Sequence, residues 1–352
     1  GEKLLNAGAL FRNADLANLL ELLTIEGIGD MHHGDVAQAI VAARQPGGLL
    51  GMQDMAQMQV SEYAPLHCSV LGGTLLSNPP PSCGGMLIAF SLSLLEKLRT
   101  SRRESSAVLL AACLAEAAAS RDADFDAKLY QPDFADDFLH PDWIIKHTNK
   151  ISQLIDNKCI FNNTEPKNRH GSTTHISVLD ANGMAVSMTA SNGEGSGIVV
   201  PGTGIHLNNM LGEEDINPLG FHRLAGGKTL SSMMAPSIFE QQGRPALILG
   251  SGGSNRLRGA ILQVLLRHLT DGMAIEDAVC APRIHNEGDV LDIEPHALSP
   301  VDEKSLSESG WCIKHWSQPS VYFGGVHAIS VDNNGHVRAA GDPRRGGAVA
   351  WA

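Results

Sequence analysis

Apolar residues in the first half of the chain recur at the three- and four-residue spacing of helices. The run NADLANLLELLTIEG predicts a helix that Asn13 can cap and that Gly27 can end. A rigid loop, SNPPPSCGG, precedes a strongly apolar helix, MLIAFSLSLLEKL. Two more segments have helical spacing, GDVAQAIVAARQPGG and the stretch Ser105–Ala119. The first half is therefore predicted to be mainly helical.

The pattern changes to strict alternation at Thr173, after a polar stretch (157–172) that predicts an exposed loop. THISVLD and MAVSMTAS flank Asn182-Gly183, which is the strongest short hairpin signal. Similar hairpins are predicted around Gln242-Gly243 and Asn334-Gly335, with helices between them at Asn255–Thr270 and Pro300–Ser309. Hairpins interleaved with helices favour an α+β fold, in which helices cover an antiparallel sheet.

Composition and charge narrow the class of protein. The 352 residues are 43% hydrophobic, which predicts a sizeable packed core. The formal net charge of -12 argues against a nucleic-acid partner, because phosphate binding needs a basic surface. No apolar run reaches the roughly 18 residues of a membrane span. Homo-oligomerisation stays open.

Cysteine and histidine spacing favours no metal site and no cofactor. The six cysteines form no CxxC pair, and the sequence contains no HExxH motif. Scattered thiols favour a reducing, cytoplasmic compartment. A periplasmic or secreted location remains open, because the start of the chain looks like the middle of a longer protein.

Thr173 is the candidate catalytic residue. The simpler interpretation is that threonine favours strands. However, Thr173 stands at the first position of a strand and follows Gly171-Ser172, where the backbone can bend sharply. A threonine hydroxyl needs a base. Cleavage before Thr173 would provide one, since an α-amine has a pKa of about 7.7–8.0.

Three other segments offer binding groups, each with a simpler structural interpretation. The run GSGGSNR (250–256) lacks the third glycine of a dinucleotide motif and predicts a tight strand-to-helix turn. Its backbone N–H groups could also hold an oxyanion, which suits acyl transfer. LSSMMAP (230–236) predicts a solvated turn with two serines. The acidic loop NNMLGEED (208–215) is either surface or a site for an ammonium group.

Taken together, these segments resemble the γ-glutamyltransferase (γ-glutamyltranspeptidase) family. The matching text in the second half is GSTTHISVLDANGMAVSMTASNGEGSG, VVPGTGIHLNN, LSSMMAPSI, LILGSGGSNR, APRIH and GDPRRGGA. GGLLGMQDMAQMQV, LLSNPPPSCGGMLIAF and AEAAASRDADF extend the resemblance into the first half. It implies a four-layer αββα sandwich of the N-terminal nucleophile hydrolase type, and a self-cleaving precursor. Cleavage between Ser172 and Thr173 would separate the end of a large subunit (1–172) from a small catalytic subunit (173–352).

The resemblance also implies roles for individual residues. Thr173 would be the nucleophile and Ser191 the hydroxyl residue bonded to it. Gly252 and Gly253 would form the oxyanion hole. The small-molecule amide substrate would be held by Asn192, by Glu213 or Glu214, and by the serine pair Ser231 and Ser232, which faces its carboxylate.

Two departures from the family pattern bear on function. Met210 stands where well-known members have a glutamine that contacts the substrate amino group, and a thioether cannot replace those hydrogen bonds. The chain also begins inside the family's large subunit, so it is expected to be a fragment or a truncated product, incomplete at its N-terminus. The leading interpretation is a threonine-nucleophile amidase for γ-glutamyl or related acyl amides. The alternatives are an acylase for a non-glutamyl group and a non-catalytic assembly subunit.

Overall fold

The computed structural model describes residues 5–6, 8–43, 48–157, 173–217, 220–287 and 290–352. The chain divides into two compact units. The first comprises the residues up to Tyr63 together with Asn192–Met210. The second comprises Ala64–Ser191 and Leu211–Ala352, and it holds both Thr173 and Gly252. These units follow packing, so the expected division of the covalent chain after residue 172 remains a prediction.

The first unit is a small helical cluster. Asn13 caps the first helix as expected: its Oδ1 accepts from the N–H of Leu16 at 3.1 Å, while its Nδ2 donates to the Gly204 carbonyl at 3.0 Å. The apolar faces of the helices meet around Leu19 and Val36, which are buried. The helices of this unit are α1 (Ala14–Glu26), α2 (Asp30–His33), α3 (Asp35–Ala43) and α4 (Met52–Gln57).

The second unit combines helices with antiparallel strands. Its helices are α5 (Gly84–Ser101), α6 (Ser106–Ala119), α7 (Ala123–Lys128), α8 (Phe134–Phe138), α9 (Pro141–Asp156), α10 (Arg256–Leu269), α11 (Ile275–Cys280) and α12 (Pro300–Glu308). Its strands are β1 (Leu66–Val70), β2 (Gly73–Ser77), β3 (Thr173–Leu179), β4 (Ala185–Ser191), β5 (Ser237–Gln241), β6 (Arg244–Gly252), β7 (Ile284–Glu287), β8 (Val290–Ile293), β9 (Cys312–His315), β10 (Gly325–Val331) and β11 (Val337–Ala340).

Six strands form one antiparallel sheet in the order β1-β2-β5-β6-β10-β11. All three predicted hairpins, β3–β4, β5–β6 and β10–β11, are confirmed. At the β5–β6 turn, Gln242 and Gly243 have φ of 52° and 73°, the left-handed conformation that a tight hairpin turn requires. The described residues therefore have the expected α+β organisation.

Both faces of the six-stranded sheet are covered near its middle. Leu247, Ile248 and Leu249 are consecutive residues of β6 and all are fully buried, although their side chains alternate between the two faces. Helices α5 and α10 pack on the sheet, and α6 packs on α5. The hairpin β3–β4 packs on β6 and β10, which gives a second β layer.

The hairpin β3–β4 has a polar inner face and an apolar outer face. On the inner face, Ser177 Oγ donates to the carbonyl of Ile248 at 3.2 Å, and Ser187 Oγ donates to that of Leu249 at 2.9 Å. The outer face is exposed and consists of Ile176, Val178, Val186 and Met188.

Some elements were not predicted. The hairpin β1–β2 turns at Leu71-Gly72, where Leu71 has φ of 54°. A separate sheet, β7-β8-β9, contains the parallel pair β8–β9, whereas only antiparallel pairing was expected. Among the helices of the described ranges, not one combines the length and the hydropathy that a membrane crossing needs.

Candidate active site

Thr173 lies where the sequence analysis placed it, at the first residue of β3. Antiparallel pairing sets Thr173 directly opposite Ser191, the last residue of β4. The two hydroxyl oxygens, Thr173 Oγ1 and Ser191 Oγ, are 2.9 Å apart, a hydrogen-bond distance. Thr173 is 8% exposed, so a reacting group there would be largely shielded from bulk water. The hairpin register thus joins two residues that are 18 positions apart in the sequence.

Gly252 also lies at Thr173, and both Gly252 and the next residue, Gly253, need to be glycine. A Cβ atom on Gly252 would be 2.2 Å from the carbonyl oxygen of Thr173, closer than side-chain carbons approach backbone oxygens. Gly253 has φ of +130°, and a Cβ there would be 2.9 Å from the Cα of Gly324. The end of β6 therefore lies against the carbonyl group of Thr173. Its role as an oxyanion hole remains a prediction.

Arg345 is a residue of this site that the sequence analysis missed. Its Nη1 donates to the carbonyl oxygen of Thr173 at 3.2 Å. It belongs to the short 3₁₀ turn Pro343–Arg345 that follows β11. The motif GDPRRGGA contributed to the family resemblance, but a second arginine in a polar run does not indicate which strand it will reach.

A buried ion network holds this turn in place. Asp342 is fully buried, and its Oδ2 accepts from Arg283 Nη2 at 2.6 Å and from the N–H of Val326 at 3.0 Å. Its Oδ1 accepts from Arg344 Nη1 at 3.2 Å. Burial alone would raise the pKa of Asp342, but the charges of Arg283 and Arg344 outweigh that effect and hold it below the usual range. Asp342 is therefore ionised at neutral pH and fixes the chain just before Arg345.

His175 is close to Thr173 in sequence, yet its environment makes it a poor base. Its Nδ1 lies 2.8 Å from Thr189 Oγ1 and its Nε2 lies 3.0 Å from Ser177 Oγ, so both ring nitrogens are engaged. Burial, with a smaller contribution from His327, lowers the pKa of His175 to about 3. The imidazole is neutral at neutral pH and has little affinity for a proton.

Ser231 and Ser232 form hydrogen bonds with the chain at Ile216, Ser82 and Cys83. Ser231 is buried, and its Oγ donates to the carbonyl of Ile216 at 3.3 Å. Ser232 Oγ lies 3.1 Å from Ser82 Oγ, and its carbonyl accepts from the N–H of Cys83 at 2.9 Å. The hydroxyl proton of Ser231 is thus already used, although its oxygen can still accept a hydrogen bond.

Ser231 also lines a cavity of about 230 Å³ within the second unit. Tyr130, Arg223 and Lys228 contribute to the same wall, and Lys228 Nζ lies 5.4 Å from the centre of the Tyr130 ring. The carboxyl group of Asp126 lines the same cavity, so its wall carries charges of both signs.

The remaining predicted substrate residues are Asn192, Glu213 and Glu214. Asn192 is exposed, and its Nδ2 donates to the His206 carbonyl at 3.5 Å. Glu213 and Glu214 are half-buried, and their carbonyls accept from Asn217 at 2.7 Å and 3.1 Å. Ser172, the other residue of the predicted cleavage site, lies outside the described residues.

Comparison with models of known protein families shows which family the chain belongs to. The sequence model of the gamma-glutamyltranspeptidase family matches residues 1–352. The chain belongs to this family. The resemblance found in the sequence is thereby confirmed.

Curated relatives of this chain include glutathione hydrolases and an acylase. A glutathione hydrolase proenzyme of Pseudomonas sp. (strain A14) is 29% identical over 87% of this chain and 59% of its own length. The glutathione hydrolase proenzyme of Escherichia coli (strain K12) is 28% identical over 97% of this chain and 61% of its own. The acylase ACY 1 proenzyme of Pseudomonas sp. (strain SE83) is also 28% identical, over 97% and 61%. The chain thus spans about three-fifths of the length of these relatives.

A solved structure shares the fold. The crystal structure of cephalosporin acylase from Bacillus halodurans matches with a TM-score of 0.82 at 21% identity, over 99% of this chain and 64% of the other. This likeness confirms the sandwich class of fold that the sequence resemblance implied.

Proposed function

We propose that this γ-glutamyltranspeptidase family member is a self-processing amidase whose nucleophile is Thr173. The observation that carries the proposal is the 2.9 Å distance between Thr173 Oγ1 and Ser191 Oγ at the start of β3. The names of the curated relatives, which are proenzymes, support processing of a precursor. The low basicity of His175 supports a base other than a histidine.

Processing would begin with attack of the Thr173 hydroxyl on the carbonyl carbon of Ser172. The peptide C–N bond breaks as an ester C–O bond forms, and the nitrogen becomes the α-amine of Thr173. Water then hydrolyses the ester, which restores the hydroxyl and leaves a carboxylate on Ser172. The products would be the two predicted parts of the chain, 1–172 and 173–352.

Turnover would use the new α-amine as the base. It takes the proton of Oγ1 as that oxygen attacks the amide carbonyl of the substrate, and Ser191 keeps the hydroxyl oriented. Backbone N–H groups at Gly252 and Gly253 would hold the negative charge on the carbonyl oxygen. The leaving amine departs with the proton, and water or another amine then accepts the acyl group from Thr173.

For the acyl group, γ-glutamyl or a related small acyl is the leading candidate, because relatives of this chain are named glutathione hydrolases. Asn192, Glu213 or Glu214, and the pair Ser231 and Ser232 are the proposed substrate contacts. A second candidate is a non-glutamyl acyl group. Met210 in place of a glutamine favours it, and so does a relative of equal identity that is named an acylase.

Processing is tested by the intact mass of the purified protein, because the two fragments have nearly equal length and overlap on a gel. The wild type should give two masses, and the second fragment should begin Thr-Thr-His-Ile. Thr173→Ala should give one uncut chain. Thr174→Ala is the matched control, since Thr174 is adjacent but exposed on the other face of β3, and it should still be cut. Cleavage at another bond, or in Thr173→Ala, would contradict the assignment.

The acyl group is tested by comparing kcat/KM for γ-glutamyl-p-nitroanilide and glutaryl-p-nitroanilide, which lacks the α-amino group. A preference for the γ-glutamyl compound above about 100-fold, or roughly 2.7 kcal/mol, would exclude the second candidate. A processed chain that turns over neither amide would instead support the non-catalytic assembly subunit.

A further inference from the structure

We infer that Arg345 is a positioning residue that fixes the backbone of Thr173 and keeps the α-amine of that residue in its free-base form. The inference rests on the proposed function, since it requires Thr173 to be N-terminal after processing. It concerns a cation that the structure places on the backbone of Thr173.

The fold builds a slot for the Arg345 side chain from three glycines. A Cβ atom on Gly325 would lie 2.6 Å from both Cγ and Cδ of Arg345. Cβ atoms on Gly252 and Gly253 would lie 3.3 Å from its Cζ and 3.6 Å from its Nη2. The side chain of Arg345 therefore lies along backbone that carries no side chains, and one of these glycines, Gly252, also approaches Thr173.

The contact of Arg345 with Thr173 sets the position of the α-nitrogen. Nη1 donates to the Thr173 carbonyl oxygen at 3.2 Å. The α-nitrogen is two bonds from that carbonyl carbon, so covalent geometry puts the cation about 5–7 Å from it. A positive charge at that distance disfavours protonation of the amine, by on the order of one pH unit. More of the amine is then free to accept the Oγ1 proton near neutral pH.

Asp342 is a carboxylate whose charge acts on Arg345, but it is also engaged by two other arginines. Asp342 accepts hydrogen bonds from both Arg283 and Arg344, so two cations share its negative charge. The second carboxylate of the network, Glu294, binds Arg344 through both of its oxygens.

Both positive and negative groups act on Arg345. Arg256 is buried, and its charge acts on Arg345. His175 and His327 both have pKa values lowered mainly by burial, so they carry no charge at neutral pH. Burial, together with Arg256, also lowers the pKa of Arg345. Burial and the charge of Arg256 together outweigh the opposing effect of Asp342 on Arg345.

The test is the pH dependence of kcat/KM for a chromogenic amide, with the processed full-length protein. Arg345→Gln should shift the acid limb of the profile to higher pH by on the order of one pH unit, because the amine then binds its proton more tightly. Arg345→Lys keeps the charge and should keep the limb near its wild-type position while lowering kcat. Arg338→Gln is the matched control: its side chain is 60% exposed and pairs with Glu276, so the profile should not move.

A second variant covers the case in which Arg345→Gln does not fold. Gly325→Ala retains the arginine but displaces it, and the acid limb should again move upward. The α-amine can also be titrated directly, from the pH dependence of its acetylation at Thr173 measured by mass spectrometry.

A uniform loss of kcat with an unmoved limb would show that Arg345 only supports the structure, and would overturn the inference. That outcome leaves the proposed function intact, because the chain beginning at Thr173 is still formed. If the wild type forms no such chain, both proposals are wrong.

Discussion

Replacing Gly252 by alanine is expected to disable the site without unfolding the protein. The added methyl carbon would come within 2.2 Å of the Thr173 carbonyl oxygen, whereas ordinary contacts begin at 3.4 Å. Thr173 or the end of β6 must therefore move by roughly 1.2 Å. Overpacking of this kind costs about 1–3 kcal/mol, less than the stability of most domains.

The same displacement is large for catalysis. A misplacement of about 1 Å can lower a rate about 10²-fold, and loss of one oxyanion donor costs about 10²–10³ in kcat. We therefore expect kcat of Gly252→Ala to fall by at least about 10²-fold, with a much smaller change in KM. Processing should slow as well, because it uses the same hydroxyl.

The assay is steady-state hydrolysis of the better of the two p-nitroanilides, together with thermal unfolding. Gly29→Ala is the control, since Gly29 has φ of -56° and open space where its Cβ would lie. A folded Gly252→Ala protein whose kcat stays within about threefold of the wild type would refute the assignment of this turn to the site.

Three further predictions follow from the contacts of the site. Ser191→Ala removes one neutral hydrogen bond to Thr173, worth about 0.5–1.5 kcal/mol, so kcat should fall about 2–10-fold, whereas Ser191→Thr should retain most activity. Asp342→Asn leaves Arg283 buried without its charge partner, so the free energy of unfolding in urea should fall by about 3–5 kcal/mol at neutral pH. Because the pKa of His175 is lowered to about 3, the unfolded chain takes up a proton below about pH 6.5 that the folded chain does not. Stability measured by urea unfolding should therefore decline on acidification by up to about 1.4 kcal/mol per pH unit, and His175→Gln should flatten that decline.

The elements that could be predicted from sequence are those whose signals are local. Asn182-Gly183 and Asn334-Gly335 favour the left-handed turn conformation, so both hairpins were predicted from a few residues. The β1–β2 turn uses Leu71-Gly72, and a leucine at φ of 54° is disfavoured by its own side chain. Tertiary packing imposes that conformation, and the local sequence contains no turn motif that predicts it.

Helix α9 was missed although a local signal existed. Pro141 begins it, and the buried residues Ile144, Thr148 and Ile151 recur at helical spacing. The parallel pair β8–β9 had no such signal, since α12 separates two strands of four residues each. Pairing between short strands depends on how the intervening helix packs, which alternation alone does not encode.

In the site, too, some contacts are set by the local sequence and others by long-range packing. Thr173 and Ser191 belong to one hairpin, so once its turn is placed, antiparallel register makes them opposite each other. Arg345 reaches Thr173 from 172 residues away, through a turn that Asp342 holds by a buried ion pair with Arg283. Neither the turn nor the ion pair has a periodic pattern. The arginine lies beside backbone that carries no side chains: a Cβ atom on Gly325 would come within 2.6 Å of its Cγ and Cδ. A glycine without any turn signal in the sequence, Gly325, thus leaves the room that Arg345 needs to reach Thr173.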